Sequence, residues 1–423
     1  MFALGLLILV AAVTAIFWPS EKGFIGQPVR YSDGTTLTLK EVTYGTVHRY
    51  RGGFWERIIS LLPRKLASKY ASRRDVLTTD RPSVTFWFDR RGATSGDLVL
   101  CDESGFGIVG DYSMMRLKPP ISTMEGWAFA AWPRRQRTFT VRVYELGKGY
   151  GDDTLLGEFT VRNPKPDNYP VWTAPPLPVR ATNGDLSVNL FDLTAGVGHG
   201  SLKWKPALSP TVSQTRAGFR VERNGRPTKE WGIATVEASD ATGNLIRRLG
   251  GTSFEPDAEF AELHPHLWPS ESAWKLRVGF SQRSNFVASE LWTLRGIPLT
   301  GAVLTNTLLT QTNLQGALLQ YTGQESGARW GDDQRFNFRV TPGRADYRVT
   351  LVRAVDDNGR EATVGASFEG GIYLGSGSKQ DWGFGLRLST NATSLDLTLA
   401  LHQTRYIEFL ARPQIISTNG TGP

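Results

Sequence analysis

Cysteine is almost missing from this chain. Cys101 stands alone among 423 residues, which excludes an intrachain disulfide and any zinc or iron–sulfur site built on thiolates. Exported sandwich proteins that hold together without disulfides point to a bacterial envelope rather than an animal secretory route. Histidine is scarce as well: His48, His199, His264, His266 and His402 are the full set, so imidazole catalysis has few places to occur. The recurring motifs of catalysis are lacking too. The Gly-rich stretch Gly370–Lys379 does not have phosphate-loop spacing. Ser253 and Ser367, in Gly-Thr-Ser-Phe-Glu and Gly-Ala-Ser-Phe-Glu, lack the closing glycine of a nucleophile elbow. The acidic pairs Asp152-Asp153, Asp332-Asp333 and Asp356-Asp357 do not have calcium-loop spacing. No cofactor is expected.

What is present is globular. Hydrophobic residues make up 40% and aromatics 11%, enough apolar surface to bury, and 423 residues exceed one ordinary core, so three domains are expected. The 45 glycines and 23 prolines imply many turns. Residues 1–18, MFALGLLILVAAVTAIFW, carry no charged side chain and are long enough to cross a bilayer core of about 30 Å as a helix. A retained anchor and a cleaved signal peptide compete, because the usual basic residue before the apolar run is missing. Lys22 and Arg30 follow the span and none precede it, which by the positive-inside rule favours a cytoplasmic body, although long domains translocate despite such counts.

A repeat runs through the rest. Alternating strands at Leu37–Val42 and Val188–Leu193 each follow a glycine turn and lead into Thr43-Tyr44-Gly45-Thr46-Val47-His48 and Thr194-Ala195-Gly196-Val197-Gly198-His199. Phe219-Arg220-Val221 and Phe338-Arg339-Val340 open similar strands, with Phe86-Trp87-Phe88 as counterpart. Asp102-Glu103-Ser104-Gly105, Asp240-Ala241-Thr242-Gly243 and Asp356-Asp357-Asn358-Gly359 share the form Asp-x-x-Gly, in which Asp caps its own turn and Gly takes positive φ. Each unit closes on a short apolar strand between Glu and Arg, followed by Pro: Glu158 to Arg162, Glu290 to Arg295, Glu408 to Arg412. Three windows with the same order constitute a true repeat. Leucines spaced by five from Leu294 to Leu319 suggest a pentapeptide coil, but one coil cannot bury a core, and strand pairs around Asn306 and Gln315-Gly316 are favoured.

The expected fold is therefore all-β: three tandem immunoglobulin-like or fibronectin-like β-sandwiches after an N-terminal hydrophobic helix, with one basic amphipathic helical insertion in the first. The expected boundaries are 1–18 for the anchor or signal, 24–163 for the first sandwich with the insertion at 48–74, 164–180 for a Pro-rich linker, 181–298 and 299–413 for the second and third sandwiches, and 414–423 for a flexible tail. A stiff linker and a short junction suggest units strung in a row.

The insertion is the most distinctive segment. Eight cations against Glu56 alone leave it at +7 in a chain of net +8. Trp55, Ile58, Ile59, Leu62, Leu66 and Tyr70, with Phe54 beside them, make an apolar stripe, with Arg57, Arg64, Lys65 and Lys69 on the polar side, broken at Pro63. Such a helix suits an anionic lipid interface; a solvated cap on the first sandwich is the competing reading, and nucleic acid is disfavoured because no groove-reading motif accompanies the charge. His264, His266 and Glu262 are weak metal candidates without a third distant ligand, and a surface turn leading into Trp268 is favoured. Of the 13 tryptophans, Trp330 and Trp382 have the most polar surroundings and are the candidates for sugar stacking, against core packing for the rest.

The expected function is non-enzymatic: a membrane-tethered extracytoplasmic envelope protein whose sandwiches serve as spacer, adhesion or assembly modules, with the membrane and an envelope protein or glycan as partners. A cytoplasm-facing membrane scaffold and a carbohydrate-binding module or carbohydrate-active enzyme are the alternatives.

Overall fold

Strand-forming alternation carries through nearly every described segment of the chain. The computed structural model describes residues 28–50, 76–92, 96–109, 115–116, 124–145, 154–163, 167–197, 214–249, 253–255, 257–263, 267–299, 311–326, 334–344, 346–368, 380–389 and 391–415. Among these, the protein is all-β, and its one helical element is the 3-10 turn Ala288–Glu290. No helix of the described residues is long and apolar enough to cross a membrane. The hydrophobic segment 1–18 lies outside them, as does the basic insertion beyond Tyr50.

The first nine strands are β1 (Val29–Arg30), β2 (Thr36–Arg49), β3 (Val76–Arg91), β4 (Asp97–Cys101), β5 (Gly107–Val109), β6 (Met115–Arg116), β7 (Met124–Phe129), β8 (Thr138–Glu145) and β9 (Thr154–Arg162). They form two sheets in the orders β1-β2-β3-β7-β6 and β5-β4-β8-β9. The sheets face each other through Phe86 against Phe139 and Phe88 against Phe159, both edge-on, the geometry aromatic pairs prefer. Inward positions on β8 alternate, with Phe139, Val141 and Val143 buried, as a half-buried strand requires. His48 and Arg49, the first residues of the expected insertion, are the end of β2.

Next come β10 (Val179–Asn183), β11 (Leu186–Val197), β12 (Gln214–Arg223), β13 (Arg226–Pro227), β14 (Trp231–Asp240), β15 (Leu245–Leu249), β16 (Ser253–Glu255), β17 (Ala258–Leu263) and β18 (Trp274–Gln282). The last ten are β19 (Leu291–Pro298), β20 (Gln311–Leu314), β21 (Ala317–Ser326), β22 (Gln334–Thr341), β23 (Tyr347–Asp356), β24 (Thr363–Phe368), β25 (Gln380–Arg387), β26 (Ser394–Gln403), β27 (Arg405–Ala411) and β28 (Gln414–Ile415). A second sandwich is made of β10-β11-β12-β17-β16 facing β15-β14-β18-β27, and a third of β20-β21-β22-β25-β24 facing β19-β26-β23. Phe219 meets Phe280 and Phe409 across the second, and Trp292 meets Phe338 across the third. The hairpin between β20 and β21 turns on Gln315 and Gly316, both at positive φ, as a two-residue hairpin of this hand demands.

The Asp-x-x-Gly turns share the same backbone hydrogen bonds. Asp102 Oδ1 accepts from Ser104 N, Ser104 Oγ and Phe106 N at 2.6–2.9 Å. Asp240 Oδ1 accepts from Thr242 N, Thr242 Oγ1 and Asn244 N at 2.6–3.1 Å, and Asp356 Oδ1 from Asn358 N and Arg360 N at 2.9 and 2.8 Å. In each, the glycine N–H donates to the aspartate carbonyl, with Gly105, Gly243 and Gly359 at φ of +84°, +87° and +75°. All three carboxylates are buried. Their outer oxygens differ: Asp356 Oδ2 accepts from Ser389 Oγ, which holds this carboxyl below its usual range, whereas burial pushes Asp102 up and its Oδ2 has no partner.

The closing strands carry the largest difference from the repeat order. β9 closes the first sandwich against β8, pairing Val141 with Phe159 and Arg142 with Glu158. The same pairs recur in the second sandwich as Leu276 with Phe409 and Arg277 with Glu408, but the strand supplying them is β27, the third unit's closing strand. β19, which by order closes the second unit, pairs instead with β26 in the third. The two units have exchanged closing strands. β28, at the start of the expected tail, pairs parallel to β11, so the segment after Thr404 grips both sheets of the second sandwich.

The first two units are docked rather than merely strung together. Asn244, on the second Asp turn, accepts from Trp132 N and donates to Trp132 O. Arg135 binds Glu271 at 2.8 and 3.1 Å and the carbonyls of Tyr169 and Pro170. Their buried apolar side chains form one continuous cluster, and those of the third unit a separate one.

Removing a charged carboxylate from the four buried donors of Thr242 and Asn244 costs more than a typical surface change. Asp240→Ala is expected to destabilise the second sandwich by about 3 kcal/mol, while Asp167→Ala, exposed in the connector, is expected within about 0.5 kcal/mol of wild type; denaturant unfolding of the two variants checks this.

Candidate functional site

The exchange of strands builds a cleft. Where the chain leaves β26 for β27 it passes from the third sandwich to the second through one residue, Thr404. This residue is buried; its N–H donates to Asp346 O of the third unit and its hydroxyl meets Ser281 Oγ of the second. Beside this crossing lies a polar cleft of about 670 Å³. Its walls come from both units: Asn183, Arg277, Arg405 and Tyr406 from the second, Gln315, Arg344 and His402 from the third.

Three arginines converge here, and each is held twice. Arg405 bonds to Asp185 and lies over the Trp231 ring at 4.5 Å. Arg277 reaches Glu237 at 3.3 Å and covers Tyr406 at 3.9 Å. Arg344 is bidentate to Asp346 at 2.6 and 3.0 Å and sits 5.0 Å over Tyr347. An acid on one side and an aromatic face on the other fix each guanidinium without using all five of its N–H groups. Asp185 is held at about 2 by Arg405 and then Arg223, so its carboxylate stays ionised through the physiological range. What the cleft offers is a set of pre-oriented guanidiniums beside the amides of Asn183, Gln315 and Gln403, with the carboxylates of Glu290 and Asp346 also in its lining.

Such donors recognise planar anions and hydroxyl-rich groups. His402 is buried, its Nε2 is 2.9 Å from Thr350 Oγ1, and Phe286 lies 5.2 Å from its ring. Burial, reinforced by the charge of Arg348, lowers its pKa to about 4, so it is neutral at pH 7.

The residues singled out from the sequence lie elsewhere. Phe54, Trp55, Arg57, Ile58, Ile59, Leu62, Arg64, Lys65, Leu66 and Lys69 are outside the described residues, as are His264 and His266. Glu262 is half-buried on β17 opposite Arg216, and among the described residues no group of three or more metal-ligating side chains is gathered. His48 is buried between Thr43 and Ser83 hydroxyls at 3.0 and 2.8 Å, a structural role. Ser253 and Ser367 lie within β16 and β24. Trp382 is 4% exposed in the third core, which removes it as a sugar platform, and Trp330 is outside the described residues. Arg277, Arg344 and Arg405 carry no signal in the sequence beyond neighbouring aromatics, because their convergence depends on the exchanged strands. No protein-family model matches the chain, and no curated protein is significantly similar to it.

His402 gives the third sandwich a pH dependence. Its folded pKa lies below its ordinary value of 6.5, so the unfolded chain takes up the proton first; the stability is intact above 6.5, falls as pH drops towards 4, and levels below that. Between pH 7 and pH 5 the loss from this residue is expected at about 2 kcal/mol. His402→Gln is expected to flatten that part of the wild-type slope in denaturant unfolding at the two pH values.

Proposed function

We propose that this chain is a non-enzymatic, membrane-tethered extracytoplasmic protein. Its three immunoglobulin-like or fibronectin-like units, bounded near 24–163, 181–298 and 299–413 with closing strands traded between the last two, act as assembly or adhesion modules. The observation that carries this reading is the cleft at the strand crossing, where Arg277, Arg344 and Arg405 are each fixed between an acid and an aromatic ring. Pre-oriented guanidiniums bind the carboxylates or other planar anionic groups of an envelope partner, a protein or glycan, with little entropy left to lose. The apolar stretch 1–18 supplies the tether, and Trp55 with the cations of 48–74 adds contact with anionic lipid.

A cytoplasm-facing membrane scaffold is the second reading, and Lys22 and Arg30 on the body side of the apolar run are what favour it. The carbohydrate-active reading rests on Trp330, outside the described residues, since Trp382 is buried.

Labelling on intact cells separates the two orientations. Val171 is 72% exposed in the connector, and the sole native cysteine, Cys101, is buried. A Val171→Cys chain is expected to react with a membrane-impermeant maleimide once an outer envelope layer is opened, with the wild type silent. Labelling that appears only after the inner membrane is breached would place the body in the cytoplasm.

A further inference from the structure

We propose that the acceptor edge of the second sandwich, along β18, also takes β27 from a second copy of this chain, so that two molecules trade their third sandwiches. The inference stands on the sheet topology and does not depend on where the chain resides.

Within one molecule, β27 is already a strand from another unit. It reaches β18 only after the whole third sandwich, and its own sheet partner by repeat order, β26, lies one residue before it. An antiparallel pair needs at least the two-residue loop of a tight hairpin. Thr404 alone cannot provide it, so β27 always leaves the third sandwich and fills an edge in some second sandwich. Which molecule owns that second sandwich is decided elsewhere, by the segment Arg283–Glu290 that joins β18 to β19. These eight residues span up to roughly 28 Å when extended. They match in number the eight between β8 and β9, where the chain turns back on itself. The segment is held by Arg283 to Glu259 and to Glu230 O, Asn285 to Glu230, Gln282 Nε2 to the carbonyls of Ser284 and Asn285, Glu290 capping Val287 N, and the Phe286 ring against His402, contacts that must open and can re-form after exchange. Ser284, Asn285 and Val287 are exposed. Opening it lets the third sandwich and β27 move as one body onto the second sandwich of a neighbour. Every contact of the crossing, Thr404 and the arginine cleft included, is then remade between two chains. Such an exchange adds no new interface and costs only the closed arrangement's proximity, which is the condition under which domain swapping occurs. Reciprocal exchange gives a closed dimer, and one-way exchange gives a chain of copies.

Cysteine pairs test this in the full-length protein. Lys275 and Leu410 are directly opposite on β18 and β27, close enough for a cross-strand disulfide, and the buried Cys101 is no competitor. The double variant Lys275→Cys/Leu410→Cys, refolded dilute, is expected to form the 275–410 link within one chain. A mixture of the two single variants, unfolded and refolded together, can form that link only between chains. The expected result is a 275–410 heterodimer, identified by mass spectrometry of the linked peptides, whose yield rises several-fold with concentration. If the double variant links within the chain but the mixed single variants give no 275–410 link at any concentration, the exchange between copies is overturned. If the double variant itself does not link, the acceptor edge is not where β27 sits, and the proposal fails at its premise.

Discussion

A polypeptide turning back to pair with its own preceding strand needs a loop, and between β26 and β27 there is only Thr404. That constraint organises half the molecule. Because the third unit's closing strand cannot fold onto β26, it crosses to β18 and fills the edge that β19 would otherwise fill; β19 then completes the third unit beside β26. Neither sandwich is finished without the other. Ile407 and Phe409 of β27 are buried in the second core, and Leu294 and Ile297 of β19 in the third; side chains of this size stabilise by about 1.5–3 kcal/mol each. Each exchanged strand is therefore anchored in the core it joins, while the two cores remain separate apolar clusters linked at Thr404 by polar contacts.

The polar features follow from the same crossing. Arg405 is the first residue beyond Thr404, and the exchange brings it over Trp231 and against Asp185. Arg277 faces the cleft from β18, next to the donated strand, with Tyr406 of that strand under its guanidinium. Arg344 and His402 come from the third unit. At the other end of the second unit, the Asp240 turn does two jobs: its carboxylate orders the hairpin, and Asn244, bonded to that carboxylate, docks Trp132 of the first unit. A turn motif common to three units has become an interface in one of them.

Much of the fold is legible in the sequence, since all-β character, the repeat and the turns are local properties. Asp102, Asp240 and Asp356 announce their turns because the acceptor and the glycine are within four residues of one another. Gln315-Gly316 announces its hairpin for the same reason. Strand exchange is not local. The Glu-to-Arg closing strands stand in the same order in all three units, so order alone assigns each to its own sandwich. The available clue is a count, eight residues before β9, eight before β19 and one before β27, and it has meaning only once strand ends are known. The cleft is further from reach, because Arg277, Arg344 and Arg405 are far apart in sequence and meet only through the crossing. Trp382 misleads for the opposite reason: its glycine-rich neighbours suggest exposure, whereas its strand β25 turns the ring into the core.

Cutting the chain between β18 and β19 tests the crossing most directly. With a specific protease site placed at Ser284–Val287, in the exposed connector, cleavage separates residues before the cut from the third sandwich and β27. If β27 completes the second sandwich, the two fragments stay associated through size-exclusion chromatography in native buffer and part only on unfolding. Fragments that separate as two independently folded bodies under native conditions would contradict the exchange and everything built on it.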